Sequence, residues 1–423
     1  MKKNIFNNTF QCAIDLDTKD ELAHFQNEFH FPKINDKKSS LYFCGNSLGL
    51  QPKKLKYDLF QELEDWKNYG VEGHLNAKNP WFSYHELLNE TSSEIVGAKS
   101  KEVVVMNSLT VNLHLLMISF YRPTKKKKKI LIESNAFPSD YYAVQSQLRY
   151  HNNDPLNDIV ILDSNKDKMI STDHIIDTIK KNKDEISLIL LGGVNYLTGQ
   201  LFDLEKISYF AKEYGCVIGL DLAHATGNVK LKLNKWNIDF AAWCGYKYLN
   251  GGPGAPSGVY INSKYLDDKN IKRFEGWWGH DKSNRFSTDS TFKSIKTAEA
   301  WQLSNPPIFS MAALLSSLRI FKNADFNKLL NKSKLLTSYL EYLLIENLSN
   351  NIKIITPKNQ NFRGCQLSII INDSNKEILN KLYKKSVVCD YRKPNVLRIA
   401  PVPLYNSFSD CYNFVKILKN IIN

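Results

Sequence analysis

Short apolar runs punctuate the middle of the chain: VVVM at 103–106, ILI at 130–132, IVIL at 159–162, SLILL at 187–191 and CVIGL at 216–220. Each is too short for a helix and rich in branched side chains, which predicts a buried strand. Between the runs lie segments with a helical repeat. Leu204, Ile207, Phe210 and Tyr214 fall on one face, and Gly215 closes that segment just before the next strand. Strands that are apolar throughout have no solvent face. Alternating with helices from about residue 90 to 260, they predict an α/β architecture with a mostly parallel sheet covered on both sides.

The flanks read differently. The first 40 residues are polar and predict irregular chain, after which LYFCGNSLGL predicts a short strand and turn. Leu55, Leu59, Leu63 and Trp66 predict a helix stopped by Gly70. Beyond SNPPIF, MAALLSSLRIF and KLLTSYLEYLLIENL predict long helices, and IKII, QLSIII and VLRIA predict short strands. The expected division is an N-terminal arm at 1–45 packed on the small domain, a large domain at 46–307, and a small α+β domain at 308–423.

Composition narrows the function classes. With 423 residues, 43% of them hydrophobic and 23% charged, the chain has a core large enough to need no disulfides. Seven cysteines (12, 44, 216, 244, 365, 389 and 411) form no CxxC pair and no metal-ligand spacing, which predicts free thiols in a reducing compartment and no metal. The N-terminus has lysines but no apolar stretch behind them, and no run approaches the roughly 18 apolar residues of a membrane span. The expectation is a cytoplasmic protein with no membrane partner. The net charge of +13 would suit nucleic acid, yet only eight of the 56 basic residues are arginine. Specific phosphate and base readout leans on the arginine fork. The run of lysines at 125–129 reads as a solvated loop, so no nucleic-acid partner is expected.

Candidate chemistry gathers where an open α/β sheet binds ligands, at the carboxyl ends of its strands. CVIGLDLAHA ends in Asp221, with His224 three residues on. Asp221 alone could cap the following turn. Lys247, set between Tyr246 and Tyr248 and followed by GGPG, changes the reading. A lysine perturbed by its neighbours is suited to forming a Schiff base with an aldehyde. An aspartate facing a pyridinium nitrogen and an imine-forming lysine are what pyridoxal phosphate requires. After VVVM, the turn Asn107-Ser108-Leu109-Thr110 opens a helix whose free amides and Thr110 hydroxyl suit a phosphate. Ordinary capping by Asn107 or Ser108 is the alternative there. Phe137, in ESNAFPSDYYA, could stack on a planar cofactor or belong to the core. Arg398, among apolar residues in VLRIAP, needs a buried anion, either a ligand or an internal ion-pair partner.

Taken in order, FCGNSLGLQPK (43–53), GVEGH and PW (70–81), VVMNSLTVNLHLLM (104–117), AFPSDYYA (136–143), TGQ (198–200), DLAHATGNV (221–229), WCGYKYLNGGPG (243–254), GWWGH (276–280), SNPPI (304–308), RGCQL (363–367) and VLRIAPVPLYNSF (396–408) resemble the kynureninase family. That resemblance implies a fold-type-I, pyridoxal 5'-phosphate-dependent homodimer. It also implies hydrolytic Cβ–Cγ cleavage of kynurenine or 3-hydroxykynurenine to an anthranilate and L-alanine. Carried onto this sequence, it makes Lys247 the imine lysine, Asp221 the partner of the pyridine nitrogen, His224 its neighbour and Phe137 the stacking ring. Leu109, Thr110 and Tyr246 would hold the phosphate, with Tyr246 also a candidate proton donor. Pro138, Ser139 and Asp140 complete the cofactor segment, and Trp277 and Asn305 would reach it from the partner chain. Arg398 would grip the substrate carboxylate, while His74, Ser304 and Asn305 would meet its aromatic end, where polar groups suit a ring hydroxyl. Gly192 stands where some relatives carry serine, removing a side-chain hydrogen bond to the cofactor. The alternative kept in view is another lyase of the same fold, such as a cysteine desulfurase. That chemistry needs a cysteine on a mobile loop, and Cys365 and Cys389 lie in strand-like segments.

Overall fold

The computed structural model describes residues 6–34, 38–287, 291–372 and 377–422. Seven strands form its main sheet: β1 (Val103–Met106), β2 (Lys129–Glu133), β3 (Ile159–Leu162), β4 (Ile186–Gly192), β5 (Val217–Asp221), β6 (Phe240–Trp243) and β7 (Ser257–Ile261). Their spatial order is β1-β7-β6-β5-β4-β2-β3. β7 runs antiparallel to both neighbours, and the remaining pairings are parallel. Every residue of β1, β6 and β7 is buried, as continuous apolar strands demand.

The helices used below are α1 (Phe10–Thr18), α2 (Leu55–Tyr69), α3 (Leu109–Phe120), α4 (Pro138–Tyr150), α5 (Leu204–Glu213), α6 (Ile308–Ala324), α7 (Phe326–Leu348) and α8 (Phe408–Ile422). A second sheet, wholly antiparallel, orders β8 (Ile352–Ile354), β9 (Leu367–Ile371), β11 (Val396–Ile399) and β10 (Asp390–Arg392) side by side. One face of it packs with α7 and α8 through Leu336, Leu340, Leu367, Leu397, Phe414 and their neighbours. Helix α6 instead buries Met311, Leu314 and Leu318 in the core of the main sheet.

Two expectations need correction. The first 40 residues are not irregular throughout, because α1 forms there with Thr9 accepting from the Cys12 amide at its start. Its helical signal is weak because Phe10 and Ile14 are exposed and only Cys12 and Ala13 enter the core with α8. Tertiary contacts supply what periodicity lacks. Asp17 accepts from the backbone amides of Phe408 (2.7 Å) and Ser409 (3.1 Å), capping α8, and Lys332 and Asp20 form a buried ion pair at 2.7 Å. Nor are the lysines at 125–129 all solvated. Lys127 donates to the carbonyls of Tyr214 and Gly215, just past the end of α5, and Lys128 pairs with Asp158 at 2.9 Å.

Helix α2 forms over the expected residues, with Gly70 as its C-cap. Leu55 is buried and Leu59 packs against the main core, but most of the helix's large side chains face outward. Tyr57, Phe60, Leu63, Trp66 and Tyr69 are all 45% exposed or more, and Val71 and Leu75 continue the patch. Apolar surface of this extent on one element marks an interaction face.

Asp17→Ala removes the acceptor for two α8 amides and one anchor of α1. It is expected to cost about 1 kcal/mol and to lower the thermal midpoint, followed by circular dichroism. An unchanged midpoint would show that the arm is held without this cap.

Candidate active site

Parallel strands deliver their carboxyl ends to one rim of the sheet, and three acids meet there. Asp221 ends β5, registered beside Gly192 of β4 and Ala242 of β6. It is buried, and its Oδ1 accepts from the Ala223 amide at 2.7 Å. Asp140 lies in the first turn of α4, a helix begun by Pro138. Burial, then the charge and hydrogen bond of Asp221, push the Asp140 carboxyl well above the usual range, against the pull of Lys247. Asp140 therefore keeps its proton beside Asp221. Glu133, the last residue of β2, is also buried. Its two oxygens accept from the Gly192 amide (3.1 Å) and from Asn195 Nδ2 (2.9 Å), yet burial still pushes its carboxyl up to about 7.

Gly192 is thereby explained. A Cβ there would stand 2.8 Å from Glu133 Oε1, so the acid occupies the space a serine side chain would need. A second glycine makes a similar close approach. Gly49, in the FCGNSLGL segment, donates its amide to the Tyr246 carbonyl at 2.9 Å, and a Cβ there would come within 2.4 Å of the Lys247 carbonyl oxygen.

Lys247 Nζ lies 3.1 Å from His224 Nε2 and 5.8 Å from the centre of the Phe137 ring. Burial, then Lys247, Arg398 and Arg392, hold the His224 ring well below its ordinary pKa, so it is neutral and Nε2 can accept from the lysine. Phe137 is 38% exposed, not a core residue, and meets the Tyr196 ring edge-on at 5.3 Å. Of the two tyrosines beside the lysine, Tyr248 is fully buried near Cys365. Tyr246 is half-buried beside Cys244, and burial followed by that thiol raises its phenol, which stays protonated.

The turn before α3 is not closed by ordinary capping. Ser108 makes no side-chain cap, and Asn107, at φ +46°, donates its side-chain amide to Asn112 Oδ1 instead. The first amides of α3, from Leu109 onward, are left without side-chain acceptors. Thr110 Oγ1 and Ser139 Oγ stand 2.8 Å apart beside them, joining the starts of α3 and α4. The Asn107 carbonyl accepts from the Ser257 amide at 2.9 Å, which ties this turn to the first residue of β7.

Arg398 is fully buried on β11. Its Nη1 donates to the Tyr196 carbonyl at 2.7 Å, and its Nη2 donates to Asp390 and, at 3.4 Å, to Ser47 Oγ. The internal ion pair is thus present. Arg398 Nε is nevertheless buried without a protein partner.

These residues make a coherent receptor for a phosphorylated, aldehyde-bearing pyridine. A buried pair of carboxyls, an amine beside a neutral imidazole, a partly exposed ring and an uncapped helix start carry the matching chemistry. Asp140 Oδ1 and His224 Nδ1 are buried with no protein partner, as groups awaiting a ligand would be. The other expected residues have their contacts elsewhere. His74 Nδ1 donates to the Val71 carbonyl and its ring packs on Trp81 and Phe82, while Trp277 packs on Trp278 and Phe286, and Ser304 and Asn305 are exposed. Tyr196, Glu133, Asn195, Ser47, Asp390 and Arg392 were not singled out from the sequence, although Tyr196 stands two residues before the TGQ motif and Asp390 eight before Arg398. Away from this rim, His85, Glu86 and Glu299 bring their ligand atoms within 4.8 Å of one another, but Lys282 bonds both carboxylates (2.8 and 2.9 Å) and supplies the cation.

Solved structures share this fold. A cysteine desulfurase from Thermococcus onnurineus superposes with a TM-score of 0.75 at 16% identity, over 90% of this chain and 94% of that one. A mutant C-DES structure with glycine linked to its pyridoxal-phosphate cofactor gives 0.77 at 13%, over 90% and 96%. The fold and the lysine-bearing rim define a fold-type-I pyridoxal-phosphate enzyme. Closer relatives narrow the class. The chain is 48% identical to the kynureninase of Koribacter versatilis over 97% of both chains, and 41% identical to that of Mus musculus over 98% of this chain and 93% of that one. Residues 329–418 match the kynureninase C-terminal domain. The chain belongs to the kynureninase family.

Glu133 ties this rim to pH. Its folded-state pKa of about 7 lies above the ordinary carboxyl value of 4.5, so the associated stability is complete below 4.5 and is lost as pH rises through 7. Glu133→Gln removes that dependence. Relative to the parent it should gain stability between about pH 5 and 7.5, by on the order of 3 kcal/mol at most, in denaturant titrations at each pH. A difference independent of pH would show that Glu133 ionises normally.

Proposed function

We infer that this chain is a pyridoxal 5'-phosphate-dependent hydrolase that cleaves the Cβ–Cγ bond of kynurenine or 3-hydroxykynurenine, releasing L-alanine and the matching anthranilate. The observation that carries the reading is Lys247 Nζ, 3.1 Å from a neutral His224 at the rim where Asp221 ends β5 beside a protonated Asp140. Identity of 48% over 97% of the chain to a kynureninase supports it.

The cofactor, when bound, supplies an electron sink for the carbanion formed at the substrate's Cα. The residues do the rest. Lys247 Nζ would hold the cofactor's aldehyde and, once free, would take and return protons at Cα. Asp221, beside protonated Asp140, would face the pyridine nitrogen, and His224 accepts from Lys247 and orients it. Phe137 would stack on the ring. The Leu109 and Thr110 amides, the Thr110 and Ser139 hydroxyls and the Tyr246 phenol would hold the phosphate, with Pro138 fixing the start of α4. Tyr246, kept protonated by burial, is also the candidate proton donor. Arg398 binds the substrate carboxylate. A desulfurase reading finds no activated thiol in the two cysteines it would call on: Cys365 is 1% exposed with its thiol pushed up to about 12 by burial, and burial raises the Cys389 thiol as well.

The assembly proposed is a homodimer, supported by the apolar patch on α2 and by the partly exposed Trp277, Ser304 and Asn305. In it, Trp277 and Asn305 enter the partner's cofactor site, and His74, Ser304 and Asn305 face the aromatic end of the substrate and favour 3-hydroxykynurenine. The proposed division is an arm (1–45), a large domain (46–307) and a small domain (308–423); α1, α7 and α8 share the small-sheet core in support of it, while Phe25 and Phe29 of the arm and α6 pack in the main core and join the two. A cytoplasmic setting fits the free cysteines. No helix among the described residues is long and apolar enough to cross a membrane.

Lys247→Ala is expected to abolish both the visible absorption of lysine-bound cofactor and alanine release. Absorption that persists would move the imine to another lysine. Purified protein given each kynurenine should release 3-hydroxyanthranilate faster, and faster release of anthranilate would remove the roles given to His74, Ser304 and Asn305. Trp66→Glu should shift the sedimentation coefficient toward that of a monomer. Co-expressing Lys247→Ala with Trp277→Ala should recover up to about a quarter of parental activity, since a hybrid dimer keeps one intact site. No recovery would place Trp277 in its own chain's site.

A further inference from the structure

We propose that Arg392 and Asp390 are specificity-determining residues that set the net charge Arg398 presents to the substrate's carboxylate. The inference rests on the reading of Arg398 given above. A guanidinium already paired with a carboxylate is a poor receptor for a second one, because the pair has no net charge and the resident anion repels the newcomer. Arg398 and Asp390 are such a pair, held face to face by the antiparallel register that sets Asp390 opposite Arg398. Arg392 lies two residues along β10, hence on the same face. Its Nη2 donates to Asp390 Oδ2 at 3.0 Å, and the Ser47 hydroxyl donates to the same oxygen at 2.6 Å.

The charges then sum simply. Arg398, Arg392 and Asp390 together carry +1, which one bound carboxylate cancels. The other titratable groups facing them do not alter the sum. His224 is neutral, burial pushes the Cys44 thiol up to about 11, and burial raises Cys389 further. Burial pushes the Asp390 carboxyl up as well, but Arg398, Ser47 and Arg392 outweigh it and hold Asp390 ionised. Geometry agrees with a shared receptor. Both guanidinium carbons lie 5.9 Å from the centre of the Tyr196 ring, and the Nε atoms of both arginines are buried with no protein partner. Arg392, with a side chain 37% exposed against 0% for Arg398, is the outer charge that an entering carboxylate meets first.

The test compares Arg392→Gln, Asp390→Asn and the double variant, as holoenzymes, with both kynurenines. Arg392→Gln should raise KM about tenfold with a smaller change in kcat, and Asp390→Asn should lower KM. The double variant restores the sum to +1, so its KM should return to within about threefold of the parent. Arg392→Lys keeps the charge and should stay near parental KM. Cofactor absorption and thermal midpoint of each variant confirm folding. A purely structural ion-pair network predicts the opposite for the double variant, which would be at least as impaired as Arg392→Gln, and that result overturns the proposal. If the parent turns over neither kynurenine, the functional reading fails, and the dissociation constant of L-alanine, read from the cofactor's absorption, takes the place of KM in the same comparison.

Discussion

A guanidinium cannot lie fully inside a protein unless acceptors surround it, and the architecture is arranged around one such group. Arg398 belongs to the small sheet, yet its acceptors come from three separate places: the Tyr196 carbonyl after β4, the Asp390 carboxylate on β10, and the Ser47 hydroxyl near the N-terminal end of the chain. One side chain therefore fastens the two sheets and the N-terminal segment at one point. The FCGNSLGL segment explains itself from here. Ser47 serves the arginine network, Asn46 donates to Gln366 at 2.8 Å, and Gly49 packs against the backbone of Lys247. A stretch that reads as a plain turn is the clasp between the lysine and the small sheet.

The opposite problem is solved at the strand ends, where carboxyls rather than a cation are buried. Glu133, Asp140 and Asp221 arrive from β2, α4 and β5, and water is excluded from all three. Like charges in a dry place retain protons, which is why Asp140 and Glu133 lie so far above the ordinary carboxyl range. The rim is thus built to receive positive charge. Tyr196 links the two poles, with its carbonyl on Arg398 and its ring against Phe137.

What could be read from the sequence divides along physical lines. Strands buried on both faces announce themselves, and β1, β2, β4 and β5 form where the apolar runs lie, while β3, at the edge of the sheet, forms on its run but leaves Ile161 exposed. Lys247, Asp221 and His224 could be read because their chemistry is rare and their spacing tight. Asp390 and Glu133 could not, since a carboxylate's importance here comes from a partner brought in by the sheet, not from any local pattern. Arg398 was legible as a buried cation, while the identity of its partner depended on the register of β10 and β11. The helix α2 was legible as a helix, but periodicity says only that a face is apolar, not whether this chain covers it.

The link from the Ser257 amide to the Asn107 carbonyl has a consequence for how the enzyme comes apart. Because β7 runs against its neighbours, the chain returning from the lysine loop enters the sheet next to the edge strand β1, at the turn that opens α3. The lysine loop and the turn that opens α3 are joined along one seam. Loss of the pairing between β1 and β7 therefore reaches both segments at once, although they lie about 140 residues apart in the chain.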